Sequence, residues 1–373
     1  MTQEEVLKNA RTCLGLYCKG CPVCNGRACK NTMPGPGAKG EGDTAIRNYD
    51  KWREIRVQMD TLCENGPVDT RLELFGKQFA YPFFAGPVGA VNLHYGDKYD
   101  DAAYNDILVH ACAEAGIAAF TGDGTNPEVM RAATAAIGKA NGLGVPTVKP
   151  WNAETVAEKM KLVRESKAFA AAMDIDAAGL PFLQNLTPPA GSKTVEELSG
   201  IIREAGVPFI VKGVMTVKGA LKAKEAGASA IVVSNHGGRV LDQCPATAEV
   251  LPEIAEAVGG GSMKILVDGG IRNGIDIFKA LALGADGVLI ARPFVTAVYG
   301  GAEEGVRELV NRLGSQLKDT MAMCGTVWLR SREIWCGTIE VSSDCGHMTV
   351  SERKTTLDIT EKNITHSFYI VDK

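Results

Sequence analysis

The sequence predicts an α/β protein built on a (β/α)8 TIM barrel, with a cysteine-rich segment before it and a short β extension after it. Three observations carry this expectation. From about residue 80, a short apolar run, a Gly, Pro or polar break and a longer amphipathic stretch alternate. The apolar runs are often β-branched and lack polar positions, as in parallel strands buried on both faces. Eight such units fit into roughly 240 residues, the usual size of a closed barrel.

The runs, in order, are Phe83–Ala85 before GPVGA, Ile117–Phe120 before TGDGTN, Val145–Val148 before KPW and Phe169–Met173 before DID. They continue with Phe209–Val211 before KGV, Ala230–Val233 before SNHGG, Ile265–Val267 before DGG and Val288–Ile290 before ARP. Between them, Thr194–Ala205, Val217–Ala226 and Ile275–Leu283 carry apolar residues at three- and four-residue steps, the spacing of one helix face. A doubly wound open sheet is the alternative, and the count of eight favours the barrel. The expected units are a cysteine-rich segment over 1–45, the barrel over 46–326 and an extension over 327–373. In the last, WCGTIEVSSDCGHMTVSERKTTLDIT alternates and is rich in Thr and Val, as in a small β element.

The 373 residues are 45% hydrophobic and 23% charged, an ordinary globular composition. A net charge of -4 gives no pull toward nucleic acid or anionic membrane. No apolar run is long enough for a membrane span, and none is flanked like a signal peptide. With the polar start Met1–Ala10, a cytoplasmic location is expected.

Chemistry in this fold belongs at the C-terminal strand ends. Lys212, His236, Arg239, Asp268, Arg272 and Arg292 all fall there. The last two strand ends, DGGIRNG (Asp268–Gly274) and ARP (Ala291–Pro293), suit a phosphate. Adjacent glycines admit close N–H approach, and the arginines supply charge-assisted hydrogen bonds. The alternative is a tight turn with surface arginines.

FIVKGV, VVSNHGGRVLD, ILVDGGIRNGIDIFKALALGADGVLIARP and, upstream, NYDKWREI resemble the FMN-dependent α-hydroxy acid oxidases and dehydrogenases, which include glycolate oxidase and lactate oxidase. The resemblance spans most of Arg47 to Thr326. It implies FMN as cofactor, a small 2-hydroxy acid as substrate, an electron acceptor that the sequence does not name, and a homo-oligomer, usually a tetramer. Matched motif by motif, it implies that His236 is the base and Arg239 grips the substrate carboxylate. Asp174, in MDID, would pair with the catalytic histidine, and Lys212 would lie beside the flavin. Ser234, Asp268, Gly269, Gly270, Arg272, Ala291 and Arg292 would hold the cofactor, and Pro87, Val88 and Gly89 would lie along its ring.

The chemistry fits these residue types. Oxidising a 2-hydroxy acid removes the hydroxyl proton, which a histidine accepts near neutral pH, and the α-hydrogen with its electron pair. Whether that hydrogen leaves as hydride or as a proton before electron transfer stays open. A buried carboxylate orients the imidazole, a lysine steadies negative charge on the flavin, and an arginine binds a carboxylate bidentately.

The sequence also departs from the family. The usual tyrosines are missing: the first position falls near Met33, in TMPGPGAKG, and the third strand runs into VPTVKPW with Lys149. DIDAAGLPFLQNLTPPAGSKT lacks the usual arginine and loop length. The substrate pocket is therefore expected to be rebuilt. Lys149 is either a replacement substrate contact or a lysine at a helix start. Asp176 either binds a polar substrate or caps a turn. Two other readings are a non-redox flavin isomerase resembling type 2 isopentenyl diphosphate isomerase, and an FMN-binding barrel without turnover. His236 with Arg239 in SNHGGR argues against the first, and the retained base, carboxylate partner and flavin lysine argue against the second.

There are eleven cysteines, and five crowd into CLGLYCKGCPVCNGRAC. Cys18, Cys21, Cys24 and Cys29 form C-x2-C-x2-C-x4-C, a spacing that allows thiolates to converge on an iron–sulfur cluster or zinc. Free thiols are the alternative. Cys336, Cys345 and His347, in the extension, either join a metal site or are structural.

Overall fold

A computed structural model describes residues 1–326, apart from 34, 64–65, 181–182, 184 and 186–189, and the backbone of 339–341. Eight parallel strands close into a barrel. They are β1 (Phe83–Ala85), β2 (Ala119–Thr121), β3 (Gly144–Val148), β4 (Ala171–Asp174), β5 (Phe209–Val214), β6 (Ala230–Val233), β7 (Lys264–Val267) and β8 (Gly287–Ile290). Each overlaps the corresponding apolar run of the sequence. Ring closure comes from β8 pairing with β1, Val288 opposite Phe83 and Ile290 opposite Ala85. The open-sheet alternative is thereby removed.

Alternation along the strands divides the core into two shells. Phe84, Phe120, Val145, Ile210, Val232, Leu266 and Leu289 form one buried cluster, joined by Leu74 and Phe79. The latter two come from a hairpin, Leu72–Leu74 and Lys77–Phe79, that caps one barrel end, with Phe79 edge-on to Phe84 at 5.0 Å. The neighbouring strand residues, such as Phe83, Met173, Val211 and Ile231, belong to the larger shell packed with the helices. Inside-out alternation of a closed sheet produces this division.

Several helices start at side-chain caps. Thr194 caps Val195–Ala205 through a capping box with Glu197. Asn152 caps Ala153–Glu165, and Asn273 caps Gly274–Ala282. Helix Gln3–Cys13 lies on the long helix Arg292–Met323, so close that a Cβ on Gly300 would come within 2.0 Å of the Val6 carbonyl oxygen. Helix Asp43–Glu54 straddles the boundary expected at 45/46. In the extension, Ile339–Val341 pairs antiparallel with Ile55–Val57. Cys336, Cys345 and His347 lie outside the described residues.

One irregularity shapes the rim. Strand β5 shifts register against β6 between Lys212 and Val214. The intervening Gly213 has φ +101, a conformation that favours glycine, and the extra residue bends the strand.

Candidate active site

The C-terminal strand ends bring together the residues singled out by the sequence. Past β6 the chain turns through His236–Gly238. His236 itself has φ +55, a left-handed conformation uncommon for a side-chain-bearing residue and enriched at functional sites. The Ser234 hydroxyl accepts the His236 N–H at 3.1 Å, which fixes the turn.

The imidazole finds a different carboxylate from the one expected. His236 Nδ1 lies 3.0 Å from Asp176 Oδ1. Asp174 instead accepts a hydrogen bond from Lys149 Nζ at 2.9 Å. The reason is local geometry. Asp174 ends β4 in register with Lys212, whereas Asp176 lies in the one-turn 3-10 helix Ile175–Gly179 that carries it over β5. A Cβ on Gly213 would lie 2.4 Å from Asp176 Cγ, so the glycine bulge makes room for this carboxylate.

Charge separates the two acids. Burial pushes the Asp176 carboxyl up, but His236 and Lys212 outweigh it and hold it below the usual carboxylate value. Burial raises the Asp174 carboxyl, with Lys149 and His236 only partly opposing it. Asp176 Oδ2 and Asp174 Oδ1 are buried without a hydrogen-bond partner among the described residues.

Lys212, 3% exposed, donates to Ser234 Oγ at 2.9 Å and lies 3.4 Å from Asp268 Oδ2. Burial works against its charge, yet Asp268, Asp176 and Asp174 raise its pKa. Lys149 is buried as well, not a surface lysine. Its backbone N–H donates to Asp123 Oδ2 at 3.1 Å. Asp123 also accepts from Trp151 Nε1 and Lys159 Nζ, each at 2.6 Å. This carboxylate fixes the loop that presents Lys149. It stands in the quoted TGDGTN break, but nothing in that spelling ties it to residues 26 to 36 positions onward.

The segment after β7 places Gly269 and Gly270 at φ +88 and +79. Trp52 Nε1 donates to Gly269 O at 2.7 Å, which ties NYDKWREI to the rim. Past β1, Pro87–Gly89 runs beside the β2 end, where a Cβ on Gly122 would lie 2.4 Å from Val88 C. Arg239 Nη1 donates to the carbonyls of Gly35 and Gly37 at 2.5 and 2.9 Å, so part of its guanidinium is engaged by the N-terminal segment.

Arg272 Nε donates to Cys24 O at 2.7 Å. Cys18, Cys21, Cys24 and Cys29 line a cavity of about 30 Å³ together with Tyr95 and Arg292. Burial pushes the Cys24 thiol up, but Arg272 and Arg292 outweigh it and hold it below the ordinary thiol value. Among the described residues, no three Cys, His, Asp or Glu side chains converge closely enough to hold a metal ion in this conformation. No described helix is long and apolar enough to cross a membrane.

The family model described as FMN-dependent dehydrogenase matches residues 35–181 and 139–332. The chain belongs to this family. A peroxisomal (S)-2-hydroxyacid oxidase of Arabidopsis thaliana is 47% identical over 133 residues, 36% of this chain and 36% of that protein. An L-lactate oxidase of Lactobacillus jensenii is 41% identical over 170 residues, 46% of this chain and 37% of that protein. These alignments span little more than a third of the length of the curated relatives. The crystal structure of mandelate oxidase superposes with TM-score 0.71 at 25% identity, over 88% of this chain and 95% of that one.

The rim of this FMN-dependent dehydrogenase family member has a donor set that fits FMN. Asp268 Oδ1 and Arg272 Nη2 are buried without a partner among the described residues. A carboxylate oxygen suits a ribityl hydroxyl, and a guanidinium N–H suits a phosphate oxygen.

Proposed function

We propose that this protein is an FMN-dependent oxidoreductase that converts a small 2-hydroxy acid to the 2-oxo acid. The observation that carries the reading is the His236 Nδ1–Asp176 Oδ1 pair at 3.0 Å on the strand-end rim. The Asp176 carboxylate accepts a hydrogen bond from Nδ1–H, which leaves the Nε2 lone pair as the proton acceptor. His236 then takes the substrate hydroxyl proton at Nε2, and Asp176 stabilises the imidazolium.

FMN, when bound, supplies the acceptor for the electron pair lost with the α-hydrogen. Asp268, Ser234 and the Gly269–Gly270 backbone would hold its ribityl side, and Arg272, Arg292 and Ala291 its phosphate. Pro87, Val88 and Gly89 would line its ring. Lys212 supplies positive charge where negative charge develops on reduction. Arg239, on the same rim, binds the substrate carboxylate. Lys149, paired with Asp174, stands as a candidate substrate contact at the end of the third strand, where the resemblance implies a tyrosine. A homo-oligomer is part of the proposal, and light scattering of the purified protein checks it.

The test is an anaerobic visible spectrum before and after addition of 2-hydroxy acids, lactate, glycolate and mandelate among them. Bleaching of an oxidised flavin band by one of them is expected. A bound flavin that none of a broad panel reduces would overturn the redox reading.

A further inference from the structure

The FMN chemistry makes no use of the cysteine-rich segment, although the structure folds that segment against the site. We propose that Cys18, Cys21, Cys24 and Cys29 are the four ligands of a thiophilic metal centre, a zinc ion or an iron–sulfur cluster.

The four thiols line one cavity. Cys13 is set apart, its Sγ donating to the Tyr299 carbonyl at 3.2 Å. None of the four is in a disulfide. The backbone between them is folded as a thiolate turn. Gly20 and Gly26 take φ +52 and +85, which bends the chain sharply after each of two ligands.

The segment is held in place before any ion arrives. Arg11 Nε donates to Gly20 O at 2.9 Å. Arg27 clamps both oxygens of Asp50 at 3.0 and 2.7 Å, tying the second turn to helix Asp43–Glu54. In this conformation no three of the thiols converge on one point, so taking up an ion requires them to move together.

Charge argues the same way. Four thiolates around a divalent ion leave a net charge of about −2. Arg292 lines the same cavity, and Arg272 Nε donates to Cys24 O at 2.7 Å, so two guanidiniums lie beside the cysteine segment. On metal binding, each ligating thiol gives its proton to solvent.

The inference stands apart from the flavin reading and is measured chemically. The full-length protein, purified without oxygen, is analysed for zinc, iron and acid-labile sulfide per chain. Metal-stripped protein is then titrated with cobalt(II) chloride. The expected result is about one zinc per chain, or iron with matching sulfide, and intense sulfur-to-cobalt charge-transfer absorption. Cys24→Ser should lose the metal and the absorption. Cys21→Ser should do the same and serves if the first variant fails to fold, while Cys63→Ser should keep both. A chain that carries no metal and takes up no cobalt would overturn the assignment, as would cobalt bands undiminished in both ligand variants. Flavin is measured on the same samples. Flavin without metal sinks this proposal alone, and metal without flavin sinks only the redox reading.

Discussion

Asp176, not the nearer-to-motif Asp174, is the carboxylate bonded to His236, with Nδ1 and Oδ1 3.0 Å apart. The two acids are two residues apart in MDID, yet one orients the imidazole and the other neutralises Lys149. Asp176→Asn offers an amide in place of the carboxylate and removes the charge that stabilises imidazolium. The rate of anaerobic flavin reduction by substrate should fall about 10²-fold or more, within the range of general-base contributions. Asp174→Asn should cost far less. Equal losses in stopped-flow traces of the two variants would reject this division of roles.

Gly213 decides whether Asp176 reaches the imidazole. Its φ of +101 and the 2.4 Å approach of Asp176 Cγ to a Cβ placed there leave no room for a side chain. Gly213→Ala should displace Asp176 and slow flavin reduction nearly as much as Asp176→Asn does. FMN content should stay unchanged, because no cofactor contact assigned above involves this residue. An alanine variant of full activity would show that the bulge has no part in positioning.

Lys149 and Asp174 form a buried ion pair, with side chains 10% and 7% exposed. Lys149→Met leaves the carboxylate without its partner. Loss of one member of a buried pair costs about 3–5 kcal/mol, which urea unfolding at pH 7 would register. The double variant Lys149→Met/Asp174→Asn should recover most of it. The sign with pH follows from Asp174, whose carboxyl is already raised, first by burial. Without Lys149 it rises further. A raised carboxyl favours the folded state at low pH, and that stability is lost as pH rises through the folded value. The single variant should therefore lose its deficit on acidification, and a deficit constant with pH would refute the pairing argument.

The barrel was legible because strands buried on both faces need uninterrupted apolar runs, and all eight runs became strands. The rim residues were legible because a closed parallel barrel leaves few other places for Lys212, His236, Asp268, Arg272 and Arg292. The choice between Asp174 and Asp176 was not legible. It depends on where β4 stops, on one 3-10 turn and on a bulge at Gly213, and none of these has a period that a sequence displays. Asp123 was missed for a related reason. Its partners Lys149, Trp151 and Lys159 lie on the next strand-to-helix unit and meet it only once β2 and β3 are paired. The engagement of Arg239 by Gly35 and Gly37 likewise needs the N-terminal segment folded back across the rim.

That folding back depends on Asp242, just beyond the His236 turn. Its carboxylate accepts the N–H groups of Glu41, Gly42 and Thr44 at 2.8, 3.1 and 3.1 Å. Burial pushes this carboxyl up, but the backbone donors of Thr44, Gln243, Glu41 and Gly42 outweigh it and lower it. A lowered carboxyl contributes stability that is present above its unfolded value, roughly 3.9, and is lost as pH falls through the folded value. Protonation should thus loosen the link between the cysteine-rich segment and the barrel before the barrel itself unfolds. Hydrogen exchange at the amides of Glu41, Gly42 and Thr44 should speed up below about pH 4 relative to core amides, after correction for intrinsic exchange. Asp242→Ala should produce the same local acceleration at pH 7. Protection unchanged in that variant would mean that the segment is held by its other contacts, such as Arg239 on Gly35 and Gly37, and that Asp242 is not the latch.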